Sequence, residues 1–336
     1  MVTEINIENV FSLTWPIIDV RSPAEFAKGH IPGAINIALF DNDERAHVGT
    51  VYVQQSKEEA TKLGYEYVTP KLQNFINDAL SIAPNRKVIV HCWRGGMRSQ
   101  AFAQHLSDNG FDEVKVILGG YKAYRNYVLD NLATPAKLNI LGGYTGSGKT
   151  PILTELSKLG HQVIDLEGLA NHKGSAFGGI GQQEQPTVEQ FENNLNKEFQ
   201  KFDTNKVIWV EDESIDIGKV QIPMPFYKQM QNSNLYFIDI PKTERAKKLV
   251  AEYGVCDKQE LADSIQRISK RLGGLNVKNA IENLEIENYF EVAMIVLIYY
   301  DKLYLKAKNN SNWKKVIQID FPTTNHIENA FIIHNL

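Results

Sequence analysis

LNILGGYTGSGKTPILTELSKLG, residues 138–160, carries three signals in order. Leu138, Ile140 and Leu141 make a short apolar run of strand type, and Ile152, Leu156 and Leu159 recur at helical spacing. Between them, Gly143-Tyr144-Thr145-Gly146-Ser147-Gly148-Lys149-Thr150 has the Gly-x4-Gly-Lys-Thr spacing of a phosphate loop, the Walker A pattern. Backbone N–H groups of such a loop cradle a diphosphate, Lys149 reaches its outer oxygens and the Thr150 hydroxyl faces Mg²⁺. Pro151 falls in the first helical turn, where a missing N–H costs little. Strand, loop and helix together predict a parallel α/β sheet, with further strands expected at 163–166, 207–210, 235–240 and 316–319. The strand at 207–210 runs into Glu211-Asp212-Glu213, a carboxylate cluster expected to supply a metal partner; Asp212 is the candidate, with the choice among adjacent carboxylates left open because neighbouring strand residues face opposite ways. The motif by itself leaves open whether the loop hydrolyses ATP, binds a diphosphate, or does both in turn.

A second strand-loop-helix lies upstream in VIVHCWRGGMRS, residues 88–99. Two adjacent glycines let the backbone curl so that N–H groups turn inward, and a helix start adds partial positive charge. Cys92 opens this loop; Arg94 and Arg98 follow within it, so the thiol is expected to ionise near neutral pH and act as a nucleophile beside two anion clamps. Further strands are expected at 17–20 and 114–118. The pattern pauses at Ala133-Thr134-Pro135-Ala136, which divides the chain into domains at 1–132 and 137–336.

Composition sets the outer limits. The 336 residues are 43% hydrophobic and 23% charged with a net charge of −4, which excludes disorder and bulk polyanion binding. Two cysteines, Cys92 and Cys256, make no disulfide framework. The opening MVTEINIENV has neither a cationic start nor an apolar core, so the cytoplasm is expected. The apolar run 292–300 is about half of the ~20 residues that a membrane span needs; it is either core or the wall of an apolar pocket. His172, Lys173 and Ser175 lie in a glycine-rich segment suited to a substrate loop. Lys242, Arg245, Lys247 and Lys248, with Lys270 and Arg271, are candidates for phosphate contacts.

Four motifs in order resemble the rhodanese family: Ile18-Asp19-Val20-Arg21-Ser22-Pro23-Ala24-Glu25-Phe26, Gly29-His30-Ile31-Pro32-Gly33-Ala34-Ile35-Asn36, the Cys92 loop and Leu118-Gly119-Gly120-Tyr121. In that family the cysteine carries a transferable sulfur or selenium, which implies this role for Cys92 and scaffold roles for Asp19, Arg21 and His30. The stretch from Cys92 to Arg98 is longer than the commonest rhodanese loop and also satisfies the cysteine-phosphatase pattern. A rhodanese cysteine followed by a phosphate-loop domain resembles the tRNA 2-selenouridine synthase family. The segments Asp165-Leu166-Glu167-Gly168, His172-Lys173-Gly174-Ser175, Gln185-Pro186 and Phe191-Glu192-Asn193 carry the match onward, with Lys173 where an arginine is usual and Val53 where a lysine is commoner.

The resemblance implies an N-terminal rhodanese-like domain with a parallel sheet, followed by a P-loop NTPase-like α/β domain. It implies a selenium transferase acting on the wobble 2-thiouridine of tRNA, with geranyl diphosphate and selenophosphate as co-substrates and a selenophosphate donor system as partner. The competing assignments are a sulfurtransferase or cysteine phosphatase fused to an ATP-dependent kinase-like domain, and a non-catalytic nucleotide sensor.

Overall fold

The computed structural model describes residues 1–310 and 312–336. The chain divides into two compact units, Met1–Asn131 with Glu192–Asn194 and Leu132–Phe191 with Leu195–Leu336.

The first unit runs β1 (Val2–Ile5), α1 (Ile7–Val10), β2 (Ile17–Asp19), α2 (Pro23–Lys28), β3 (Ile35–Asn36), α3 (Asn42–Gln54), α4 (Lys57–Val68), α5 (Leu72–Ile82), β4 (Lys87–His91), α6 (Met97–Asp108), β5 (Glu113–Ile117) and α7 (Gly120–Leu132). Its sheet is parallel with the order β1-β5-β4-β2-β3. β4 is central and buried from Val88 to His91, as the unbroken apolar run demands. Phe102 and Leu106, one turn apart on α6, close over it, and the Phe102 ring meets Phe75 of α5 at 5.4 Å. β1 escaped the sequence reading because Thr3 and Glu4 are exposed on an edge strand, where little alternation survives.

The second unit runs β6 (Lys137–Gly143), α8 (Lys149–Lys158), β7 (Gln162–Ile164), α9 (Leu166–Ala170), α10 (Val188–Phe199), β8 (Val207–Glu211), a hairpin of β9 (Asp216–Ile217) and β10 (Val220–Gln221), α11 (Met224–Gln231), β11 (Asn234–Asp239), α12 (Lys242–Tyr253), α13 (Lys258–Arg267), α14 (Ser269–Leu272), α15 (Gly274–Glu285), α16 (Tyr289–Asn310), β12 (Lys315–Asp320) and α17 (His326–His334). Its five-stranded sheet is also parallel, ordered β12-β11-β6-β8-β7. β7 stops two residues before the expected 166 because the Asp165 carboxylate accepts the Gly168 N–H at 2.7 Å and caps α9. Ile152 and Leu156 of α8 are buried as predicted, whereas Leu159, past the helix end, is exposed. Helices α13 to α16 enclose a separate apolar cluster that includes Ile265, Val277, Val292 and Val296. No helix among the described residues is long and apolar enough to cross a membrane.

In both sheets the loop of interest leaves the carboxyl end of an inner strand, β4 or β6. That is where open parallel sheets leave a crevice for ligands.

Candidate functional site

The Cys92 loop is shaped by backbone packing. Gly120 has φ +60°, and a Cβ there would sit 2.4 Å from the Cys92 carbonyl oxygen; one on Gly95, at φ +65°, would sit 2.4 Å from the Ile117 carbonyl oxygen. The Tyr121 and Lys122 amides donate to the Cys92 and Trp93 carbonyls, both at 2.9 Å. The Leu-Gly-Gly-Tyr turn is therefore the bed on which the thiol loop rests. Beneath it, Arg21, 1% exposed, donates to Asp19 and to the Gly29 carbonyl and stacks on the Tyr121 ring at 3.8 Å. Burial alone would raise the Asp19 carboxyl, yet His91 and Arg21 hold it below its ordinary value.

Within this frame Cys92 Sγ lies 3.3 Å from the Ser99 hydroxyl, which also donates to the Gly96 carbonyl at 3.1 Å. Burial pushes the thiol up; the Ser99 hydroxyl, the Arg98 charge and the amides of Arg94 and Ser99 more than reverse it, leaving the thiol below its ordinary range. Cys92 is 3% exposed, so the cradle is tight, but amides do face its sulfur. Arg98 is held by Glu25 at 3.1 Å, and Glu25 also faces Arg45 at 3.5 Å. The Arg94 side chain is exposed, so the clamp expected of it rests on its backbone N–H.

The phosphate loop leaves the end of β6 and leads into α8. Gly146 and Gly148 have φ +81° and +79°, and a Cβ on Gly143 would press on the Ile238 carbonyl at 2.8 Å. The Thr145 and Ser147 hydroxyl oxygens are buried without a partner among the described residues. Lys149 is 9% exposed. Burial would strip its proton, but Tyr304, Glu167, Glu213 and Asp212 outweigh that and keep it firmly charged. Burial pushes Asp212 up to about 6, with Lys149 opposing, and raises Glu211 and Glu213 well above the usual carboxylate range, neighbouring carboxylates adding to the effect. Arg245 of α12, 3% exposed, donates to the Ile240 carbonyl at 2.9 Å, to the Thr145 carbonyl at 3.0 Å and to Asp301 of α16 at 2.9 Å.

The loop opens into a cavity of about 430 Å³. Its lining combines Gly146 through Thr150, Lys173 and Lys248 with the apolar side chains Phe177, Leu249, Leu261, Val292, Val296 and Leu297. Val292, Val296 and Leu297 are thus both core and pocket wall, and the stripe continues at helical spacing to Tyr300 and Tyr304.

Residues 5–127 match the rhodanese-like domain model, and residues 136–324 match the model described as the tRNA 2-selenouridine synthase AAA domain. The tRNA 2-selenouridine synthase of Nitrosomonas europaea is 36% identical, the alignment covering 88% of this chain and 90% of that protein. That of Shewanella denitrificans is 38% identical over 79% of this chain and 72% of its own length. The Hydrogenovibrio crunogenus protein is 34% identical, with 94% of both chains covered. The chain belongs to the tRNA 2-selenouridine synthase family.

In this family member Thr150 donates its hydroxyl to Glu167 at 2.8 Å, and the Glu167 amide donates to Glu211 at 2.6 Å. Asp212 faces Gly142 and Lys149. Among the described residues no three His, Cys, Asp or Glu side chains converge as a metal site, so Mg²⁺ would need the Thr150 hydroxyl, one carboxylate and ligand oxygens. The proposed basic stretch is largely neutralised: Arg245 is buried, Lys242 pairs with Asp301, Lys247 with Glu244 and Lys248 with Glu252. Glu167 and Tyr304 were given no role from sequence, whereas Lys248 and Glu213 were named there, as a candidate phosphate contact and as one of the strand-end carboxylates. A carboxylate at the end of a strand beside the phosphate loop, as in Asp165-Leu166-Glu167, was the available signal for the first.

Proposed function

We propose that this chain carries out tRNA 2-selenouridine synthesis in two steps, with geranyl diphosphate and then selenophosphate as co-substrates. In the first step the sulfur of a wobble 2-thiouridine attacks C1 of the geranyl group; the C–O bond breaks and diphosphate leaves. In the second, selenophosphate held at the Cys92 loop delivers its selenium to C2: the C–Se bond forms, the C–S bond breaks and geranylthiol leaves, and water cleaves the Se–P bond to release phosphate.

One observation carries the reading: a single cavity joins a lysine-bearing phosphate loop to an apolar wall on α16. A prenyl diphosphate has that polarity, two phosphates and a hydrocarbon tail. Burying ten carbons at about 0.8 kcal/mol each supplies an upper bound of ~8 kcal/mol for holding the tail. Lys149 and Lys248 would neutralise the departing diphosphate, and the buried Thr145 and Ser147 hydroxyls would bond its oxygens. Mg²⁺, held by Thr150 with Glu167 or Asp212, would add charge neutralisation at the same place. The amide-lined Cys92 cradle suits a second phosphate-bearing donor.

The test separates the loops. With purified protein and tRNA bearing 2-thiouridine, Lys149→Ala is expected to abolish geranyl transfer. Cys92→Ser is expected to leave geranylation intact and to lose conversion of geranylated tRNA to selenouridine. Wild-type selenation by Cys92→Ser, or wild-type geranylation by Lys149→Ala, would overturn the corresponding half.

A further inference from the structure

A second cavity of about 230 Å³ lies beside the first, and Ser175, Tyr300 and Tyr304 line both. Its walls include Trp313 and Tyr227, which with Tyr304 offer flat aromatic surface, and Gln231, Asp212 and Glu213, which offer polar edges. Two of these polar groups have no partner among the described residues: the Trp313 indole Nε1, a donor, and Glu213 Oε1, on a side chain 7% exposed. An unmatched buried donor and oxygen cost free energy unless a ligand meets them. Aromatic walls with a few hydrogen-bonding groups suit a planar heterocycle with alternating N–H and C=O positions.

The sequence neighbours of the lining residues point to what carries the heterocycle. Lys302 and Lys306 stand on α16, four apart, beside the lining residues Leu303 and Ala307; Lys228 adjoins Tyr227, and Lys314 and Lys315 follow Trp313. All five side chains are exposed, and none has an ion-pair partner among the described residues. This is unlike the 242–248 stretch, where the lysines have acidic partners. Five uncompensated cations on a chain of net charge −4 suit a polyanion. An acidic protein segment would meet the lysines but would leave the aromatic cavity unfilled.

We propose that this second cavity receives a pyrimidine base of the RNA substrate while the five lysines hold its flanking phosphates. The site rests on the prenyl-transfer reading, because it places the acceptor base across Tyr300 and Tyr304 from the cavity assigned to the donor.

The test measures fluorescence anisotropy of the full chain with two RNA hairpins, one with a single 2-thiouridine in its loop and one with an abasic ribose there. Base stacking contributes about 1–3 kcal/mol, so the wild-type protein should prefer the thiouridine hairpin by roughly 5- to 150-fold. Trp313→Leu should erase most of that preference while leaving affinity for the abasic hairpin and for geranyl diphosphate within about twofold, and Gln231→Leu should lower the preference too. Joint Lys302→Gln and Lys306→Gln should weaken both hairpins equally and flatten the log–log salt dependence by about one to two. An unchanged preference in both cavity variants, or unchanged salt dependence in the lysine pair, overturns the site; so does tighter binding of an acidic peptide than of RNA. If the RNA pattern holds while the wild-type protein transfers no geranyl group, the base site stands and the prenyl reading falls.

Discussion

Ser99→Ala tests the thiol loop most directly. The Ser99 hydroxyl has one proton and two acceptors, the Gly96 carbonyl at 3.1 Å and Cys92 Sγ at 3.3 Å. While Cys92 is a thiol, its own proton can reach Ser99 Oγ and the hydroxyl can serve Gly96. Once the thiol ionises, the hydroxyl does best by turning to sulfur, because a hydrogen bond to a charged acceptor is stronger than one to a carbonyl. Ser99 is wholly buried, so the variant gains no water in its place. Losing a hydrogen bond to an ion costs about 1.5–3 kcal/mol, which lowers the thiolate-to-thiol ratio at fixed pH about 10- to 150-fold. Arg98 and the amides of Arg94 and Ser99 remain, so reactivity is reduced and not abolished. The assay is the pH dependence of alkylation by iodoacetamide, a small reagent, in a Cys256→Ser background. Ser99→Ala should shift the whole profile to higher pH and meet the wild-type rate at the alkaline plateau, and Ser99→Thr should restore the original position. Superimposable profiles for the wild type and Ser99→Ala would refute the reasoning, since a merely structural change lowers the rate without moving the midpoint.

Acid should destabilise the first unit in two stages. His91 is buried and kept neutral, so the unfolded chain binds its proton more readily and stability starts to fall below about pH 6.5; Asp19, held below its ordinary value, adds a further loss that starts as the unfolded chain's carboxyl protonates near 3.8 and is complete once the native carboxyl has protonated. Urea midpoints read across pH would check both, and a midpoint that rises on acidification would contradict them. Gly120→Ala should disorder the thiol loop, because its Cβ would meet the Cys92 carbonyl oxygen at 2.4 Å in a left-handed backbone; loss of rapid Cys92 alkylation with the urea midpoint of the second unit unchanged is the expected result. Ala293→Trp, which adds bulk to the apolar wall, should weaken geranyl diphosphate at least tenfold in calorimetry and leave inorganic diphosphate unaffected. Arg245→Met leaves Asp301 without its main partner and should cost about 3 kcal/mol in urea denaturation.

The two ligand loops were readable because each is written in consecutive residues: an apolar strand, glycines at forced backbone angles, then a helix. The Leu-Gly-Gly-Tyr turn was visible as a motif, but its task was not, because the contact between Gly120 and Cys92 spans 28 positions and exists through the β4–β5 pairing. Glu167 and Tyr304 were hidden for the same reason: they join Thr150 and Lys149 through tertiary packing, and neither has a local signature. Arg245 misled the reading, since a basic run resembles a solvated face, and only the position of Asp301 on α16 shows that one member is turned inward. The unpartnered lysines near residues 302–315 are more scattered in sequence than the 242–248 run and drew no notice.

Arg245 ties the Thr145 carbonyl to Asp301, and α16 carries both Asp301 and the cavity-facing apolar stripe. If the cavity takes a prenyl diphosphate as proposed, the anchor for the phosphates and the gauge for the tail would be riveted together. A donor with an overlong chain could then not be accommodated by letting that helix swing out on its own, since the movement would drag the phosphate loop with it. On that reading chain length would be judged where the bond breaks, and an ill-fitting donor would lose its reactivity along with its grip.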